Sequence, residues 1–501
     1  MKALIFSALV FFCQLLSVAQ QIEQGKVYTD DRKFNIVKLN GMSRGYLTLI
    51  KARADTDELI KDLRIEWYDT ASMERQNLCV LEGCFANRQE FFPEGVLTFN
   101  NKVYALGSKF DKASMENVLL IKELILLNGK EDLGPSVELM RVKTAFFSFF
   151  EKRFQTFTSA RGNRMLVTHA GNPGDSDSLL ITTKLFDTAL NVLKSGNQTI
   201  AKLSAQFKID QIAVDESDNI FVLMHWARSV KAEQKSYYLY AFPSLGSEVV
   251  EFNLDTDEYR NNDLRFTVSK GGYLRLAGLY YPGKRKEAEE PIGILFLEVD
   301  LNGSEIKRSG VLTFNELLAK PKIKEQLLRD ELQTEHIHLT DIGENENGRM
   351  LIYLEHQSSE EICETDFRSN MMQCSMHYYT GNVLIIEMND QGKADSVYCV
   401  LKNQHMVDES MVYLSYLTLG AANEGRFLCY MRDVKEKDQN MFSNADRCSI
   451  ALSEIGKSLV VDFEADLPVN INAGATQCGR RIYFSGESRS GTCLYRFSEG
   501  P

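Results

Sequence analysis

The amino-acid sequence predicts an all-β chain built as a ring of eight repeated units, each of four antiparallel strands. Three observations carry the prediction. First, a turn–strand–loop–strand unit recurs, its first strand beginning at Tyr46, Val103, Met165, Ile220, Tyr273, Met350, Phe427 and Ile482. Repetition at such a period marks an array rather than one irregular core. Second, six of the following strands run into another turn: Asn128-Gly129-Lys130, Ser195-Gly196, Leu245-Gly246, Asn302-Gly303, Gln391-Gly392-Lys393 and Ile455-Gly456-Lys457. Each such turn adds a further hairpin strand. Third, the eighth unit ends at Ser498-Glu499-Gly500-Pro501, where its fourth strand should start. Near the other terminus Lys26-Val27-Tyr28-Thr29 is strand-like and unassigned. Pairing that segment with the eighth unit would close the ring and leave no sheet edge open.

The elements follow in order. Residues 1–19 read as an export signal: Lys2 is a short positive region, Ala3 to Leu16 is apolar, and Ser17-Val18-Ala19 offers small residues for cleavage. The apolar run is too short to span a bilayer. Residues 20–501 are expected to form one soluble domain, a monomer, secreted or periplasmic. Its first inner strand is Phe34-Asn35-Ile36-Val37. The turns into the repeated strands hold Gly, Asn or Asp, as in Asp218-Asn219-Ile220 and Gly348-Arg349-Met350. These residues accept the positive φ of tight hairpins. The strands that follow are aliphatic or aromatic, such as Ile220-Phe221-Val222-Leu223-Met224. Two units are long. Around 313–334, Ile323, Leu327 and Leu328 suggest an amphipathic helical insertion. A polar stretch from His356 to Met376 reads as a long loop. Tight turns fall at two junctions per unit on one face, so the long loops crowd the opposite face, the usual place for binding.

Composition narrows the function classes. The 501 residues are 44% hydrophobic and 10% aromatic, with a net charge of −12. That balance, with no clustered basic face, excludes nucleic acid as the natural partner. Ten cysteines less Cys13 in the signal leave nine. In an exported chain, disulfides are expected at Cys79–Cys84, Cys363–Cys374, Cys429–Cys448 and Cys478–Cys493, with Cys399 left over. Metal binding is the rival reading of these cysteines.

With its turns and repeated strands, nearly all of the mature chain resembles a β-propeller. The Asp-rich turn Val214-Asp215-Glu216-Ser217-Asp218-Asn219-Ile220 is similar to turns of exported bacterial propellers. The Trp-Asp dipeptide and the S-x-D-x-G-x-T-W box of named classes do not occur. The resemblance implies the architecture alone, with seven blades as the alternative to eight.

Candidate chemistry is sparse. His169, His225 and His356 sit near the ends of equivalent strands, six, six and eight residues after the turn residue. Equal parity places them on the same sheet face, where converging imidazoles could hold zinc or another transition metal. Polar residues ending strands are the commoner explanation. His336 and His338 share a face without a visible third ligand, and His377 and His405 stand in loop-like or strand-edge contexts. Asp175-Ser176-Asp177 and Asp255-Thr256-Asp257-Glu258, the latter ahead of Asn261-Asn262-Asp263, offer oxygen ligands for calcium, although solvated loops explain them as well. No G-x-S-x-G elbow or phosphate-binding loop occurs. The expectation is a binding or scaffold module recognising a protein or glycan through the long-loop face, without a cofactor. The alternatives are a polymer-acting hydrolase or lyase at the central channel, and a subunit of an envelope assembly.

Overall fold

The structure is a computed structural model. It describes residues 21–29, 34–43, 45–54, 60–80, 92–127, 130–143, 154–159, 162–171, 179–200, 207–227, 235–243, 249–254, 259–269, 273–282, 290–300, 305–318, 336–345, 347–366, 371–389, 391–407, 414–419, 427–433, 441–442, 448–455, 460–465, 469, 471, 474–478, 481–488 and 491–498. The signal segment and the expected helix around Leu327 lie outside them. Of that insertion only a five-residue helix, Phe314–Leu318, is described.

Eight antiparallel sheets form a β-propeller. Blade 1 runs Asn35–Ser43, Tyr46–Ala54, Ile60–Asp69, Arg75–Val80, and blade 2 runs Phe92–Phe99, Lys102–Asp111, Glu116–Leu127, Lys130–Lys143. Blade 3 is Gln155–Thr158, Met165–Gly171, Leu179–Phe186, Val192–Ile200, and blade 4 is Phe207–Val214, Ile220–Ala227, Lys235–Phe242, Val250–Asn253. Blade 5 is Tyr259–Val268, Tyr273–Pro282, Gly293–Asp300, Glu305–Thr313. Blade 6 is Ile337–Glu344, Met350–Asp366, Met371–Met388, Ala394–Val400. Blade 7 is Leu417–Leu419, Phe427–Asp433, Cys448–Glu454, Val460–Ala465. Blade 8 takes Ala475–Cys478, Arg481–Ser488 and Gly491–Ser498 from one end of the chain and Gln21–Gln24 from the other.

Both faces of each blade are covered, which is why its strands are apolar on both sides. Among the described residues, eight buried clusters fill the spaces between neighbouring blades. In blade 4, Ile220, Val222 and Met224 enter the core shared with blade 3. Phe221 and Leu223, pointing the other way, enter the core shared with blade 5. The period of two along the strand therefore feeds two cores. The tight turns match the sequence reading: Gly348 has φ +75° and Asp218 has φ +65°.

Ring closure occurs, but earlier in the chain than the Lys26–Thr29 segment suggests. The register is Gln21↔Ser498 through Gln24↔Tyr495, and Gly25 N–H donates to the Leu494 carbonyl. Tyr28 and Thr492 then exchange backbone hydrogen bonds. The seam also buries charge. Glu66 is fully buried and lies 3.3 Å from Lys51 Nζ, 2.8 Å from Arg64 Nε and 3.3 Å from Arg75. Lys51, also fully buried, donates to Thr492 of blade 8 at 2.8 Å.

Blade 6 corrects the expected loop at 356–376. Residues 356–366 and 371–376 continue the second and third strands as one long antiparallel pair, with Cys363 opposite Cys374 in register. The two cysteines form a disulfide with a Cα–Cα distance of 4.0 Å. Polar composition disguised the strands, because outside the ring only one hairpin face needs apolar side chains. A further strand, Asn403–Val407, pairs along the hairpin. Met441–Phe442, from between the second and third strands of blade 7, adds a parallel edge.

The other expected disulfides do not form among the described residues. Cys79, Cys429, Cys478 and Cys493 carry thiols, as does Cys399. Register explains two cases. Cys429 faces Leu452 while Cys448 faces Asp433, further along the same ladder. Cys478 faces Arg481, whereas Cys493 faces Gly486 on the opposite side of that strand. Disulfide-linked Cα atoms must lie within about 7 Å, and these separations exceed it. Cys79 is buried in the core between blades 1 and 2, and Cys84 lies outside the described residues.

Candidate functional site

The inner strands of five blades share a feature that sequence reading missed. Each carries a β-bulge, at Val37, Glu94, Asp210, Asp263-Leu264 and Thr340. A bulge inserts an unpaired residue and re-aims its side chain. Here it turns polar groups onto the neighbouring strand or blade. Glu94 accepts a hydrogen bond from the Ser108 hydroxyl. Thr340 Oγ1 lies 2.6 Å from the Tyr416 hydroxyl of blade 7.

At blades 4, 5 and 6 these contacts join into one cluster. Asp210 lies 2.7 Å from Nδ1 of His225, which is only 7% exposed. The His225 ring packs against Tyr237, centroid to centroid 5.8 Å. The Tyr237 hydroxyl reaches the backbone N–H groups of Asp263 and Leu264 at the blade 5 bulge. Burial, reinforced by Asp210 and Asp263, raises the Tyr237 hydroxyl pKa, so it stays protonated. Asp263 then reaches Nδ1 of His338, on the inner strand of blade 6, at 3.3 Å. That hydrogen bond holds the His338 pKa above its ordinary value against the opposing effect of burial, with help from the Gln357 backbone. Asp263 has φ +52°, an uncommon conformation for a non-glycine residue, and the bulge geometry requires it.

The cluster continues into blade 6. The rings of His336 and His356 meet edge to face at 5.6 Å. Burial, then the neighbouring His336 and His338, lowers the His356 pKa. Beside it Glu355 is 1% exposed. Its partner is Lys402, fully buried, with Nζ 2.5 Å from the carboxylate. Nζ also donates to Thr380 at 2.9 Å and Gln404 at 2.8 Å. Ser415 of the following segment donates to the other Glu355 oxygen at 2.5 Å.

The three histidines singled out by sequence do not converge. Aligned on the residues that close each turn by backbone hydrogen bonds, Arg164, Asn219 and Arg349, their offsets become five, six and seven. The blade 3 turn is one residue longer than the others, so equal spacing from a turn glycine or asparagine misjudges the face. His225 therefore points to the opposite side of its blade from His169. His169 packs on Phe154 at 5.5 Å, and His356 occupies a bulge between Glu355 and Gln357. Among the described residues, the group with metal-ligand spacing is Glu361, Cys363 and Cys374. Two of those are already committed to the disulfide. Of the calcium candidates, Asp175–Asp177 and Asp255–Glu258 lie outside the described residues, while Asn261 to Asp263 form strand and bulge.

No protein-family model and no curated protein matches this chain. Solved structures do match. The WD40 domain of SCAP from fission yeast is 11% identical over 96% of this chain and 95% of that one, with a TM-score of 0.43. The β-propeller domain of the trilobed protease from Pyrococcus furiosus is 9% identical over 87% and 94%, at 0.36. The polysaccharide lyase Uly1 is 11% identical over 81% and 90%, at 0.38. Likeness at this level carries no activity across. The eight sheets themselves make this chain an eight-bladed β-propeller.

Proposed function

We propose that the protein is an exported binding module, secreted or periplasmic, that engages a protein segment or a glycan from the long-loop face. Its recognition site is the rim of blades 4 to 6. The observation that carries this reading is the continuous run Asp210–His225–Tyr237–Asp263–His338, built from three blades by inner-strand bulges. Carboxylates and imidazoles held by one another present fixed hydrogen-bonding groups, and such preorganisation favours binding. Both ring nitrogens of His338 have acceptors, Asp263 and the Gln357 backbone. Held on both sides, that imidazole orients the Asp263 carboxylate rather than shuttling protons.

Thermal-shift titration of the mature protein against glycans and peptides tests the site. A ligand at a hundred times its dissociation constant stabilises the folded state by about 2.7 kcal/mol. The shift is expected to shrink in Asp263→Asn and His338→Ala. A ligand whose shift both variants leave intact binds elsewhere and removes this site from consideration.

A further inference from the structure

The extended hairpin of blade 6 has two unlike faces. Its Tyr378 and the neighbouring Met406 pack into the core between blades 7 and 8. The alternate residues, Ser375, His377 and Tyr379, with His405 on the adjacent strand and Glu360 opposite, lie on the other face. These side chains form one line of hydrogen bonds and a ring stack. Ser375 Oγ lies 3.1 Å from Nε2 of His377. Nδ1 of the same ring lies 3.0 Å from Nε2 of His405. His405 stacks flat on Tyr379 at 4.5 Å and 4°. Tyr379 in turn donates to Glu360 at 2.9 Å. The Cys363–Cys374 disulfide closes the hairpin one residue before Ser375.

The order of atoms matters. An N–H···N bond needs one donor and one acceptor. Burial, with the adjacent His377 ring, lowers the His405 pKa and so favours its uncharged form; in the arrangement that suits catalysis, its Nε2 accepts. His377 then donates from Nδ1, which leaves its Nε2 lone pair facing the Ser375 hydroxyl. Serine, base and a third group that fixes the base's tautomer are the components of an activated nucleophile. They are recognised by geometry, since no sequence signature marks them here.

We propose that Ser375 is a nucleophile that accepts acyl groups from carboxylic esters, with His377 as its general base and His405 as a positioning residue. The Ser375 oxygen bonds to the ester carbonyl carbon as its proton moves to Nε2 of His377, and the carbonyl π pair moves to oxygen. Collapse breaks the bond to the alcohol oxygen, which leaves with the proton from His377. Water then repeats the sequence on the acyl-serine, giving the free acid and restoring both side chains. This activity is independent of the binding site on blades 4 to 6.

The test is covalent labelling of the full mature chain with a fluorophosphonate, with the adduct located by peptide mass spectrometry. Labelling at Ser375 is expected, abolished in Ser375→Ala and slowed about 10²-fold or more in His377→Gln, the usual scale of general-base assistance. His405→Ala is expected to slow labelling less and to change its pH profile, which a purely packing role would not do. All three variants should keep the thermal midpoint of the parent. Labelling that is absent, or equal in Ser375→Ala and the parent, overturns the proposal. So does a His377→Gln variant that is folded and labels at the parent rate.

Discussion

Blades 4 and 6 begin alike and finish differently. In each, the second strand alternates between two cores: Ile220 and Val222 against Phe221 and Leu223, Met350 and Ile352 against Leu351 and Tyr353. In each, that strand then reaches a polar residue, His225 or Glu355. Blade 4 stops there, and its His225 is met by Asp210, whose side chain is 29% exposed. Blade 6 continues as a hairpin that packs over the blade 7–8 core, and Glu355, which takes the place of His225 in the strand, is sealed from water. Desolvating a charge is tolerable only when it is paired and hydrogen-bonded, and Lys402, Thr380, Gln404 and Ser415 supply that shell. The contrast teaches that extending a blade outward needed a new polar interior, which the plain blade does without.

The largest effect that would break this contrast is Lys402→Met. It leaves Glu355 buried without its cation, and a loss of about 3–5 kcal/mol is expected in urea denaturation. Adding Glu355→Leu should restore most of that stability, because paired removal of a buried ion pair is often neutral. An additive double variant would show the two residues to be uncoupled. Next comes Leu223→Ala, in the apolar part common to both blades, at about 3 kcal/mol. Replacing Cys363 and Cys374 by serine should remove about 2–3 kcal/mol, with hydrogen exchange rising in the blade 6 hairpin and not in blade 4. Asp210→Asn, at the partly solvated end of blade 4, should lower stability by about 1 kcal/mol or less. The subtlest outcome is a pH slope. Asp263 raises the His338 pKa above 6.5, so the folded protein holds that proton more tightly than the unfolded chain. This stabilisation is complete below 6.5 and disappears as pH rises through the raised value, and Asp263→Asn should flatten the slope.

Much of the ring was legible in the sequence. All eight repeated strands start within one residue of the expected positions, at Tyr46, Lys102, Met165, Ile220, Tyr273, Met350, Phe427 and Arg481. Gly, Asn and Asp at the turns and apolar runs after them are local signals, and local signals survive without tertiary knowledge. The sites were far less legible. Asn261-Asn262-Asp263 resembles a solvated loop, because a bulge admits polar residues into a strand. His377 and His405 are 28 positions apart, and only the folding of Asn403–Val407 back onto the hairpin brings them together. The burial of Lys402 depends on a hairpin whose polar composition reads as loop.

The pairing of Gln21 with Ser498 sets a schedule for the newborn chain. Among the described strands, the earliest in the chain belongs to the same blade as the latest. At about 5–20 residues per second, its partner is delivered roughly half a minute to a minute and a half later. Throughout that interval the segment waits without its ladder. Gln21-Ile22-Glu23-Gln24 is suited to waiting: one apolar side chain among polar and charged neighbours offers little for another chain to zip against.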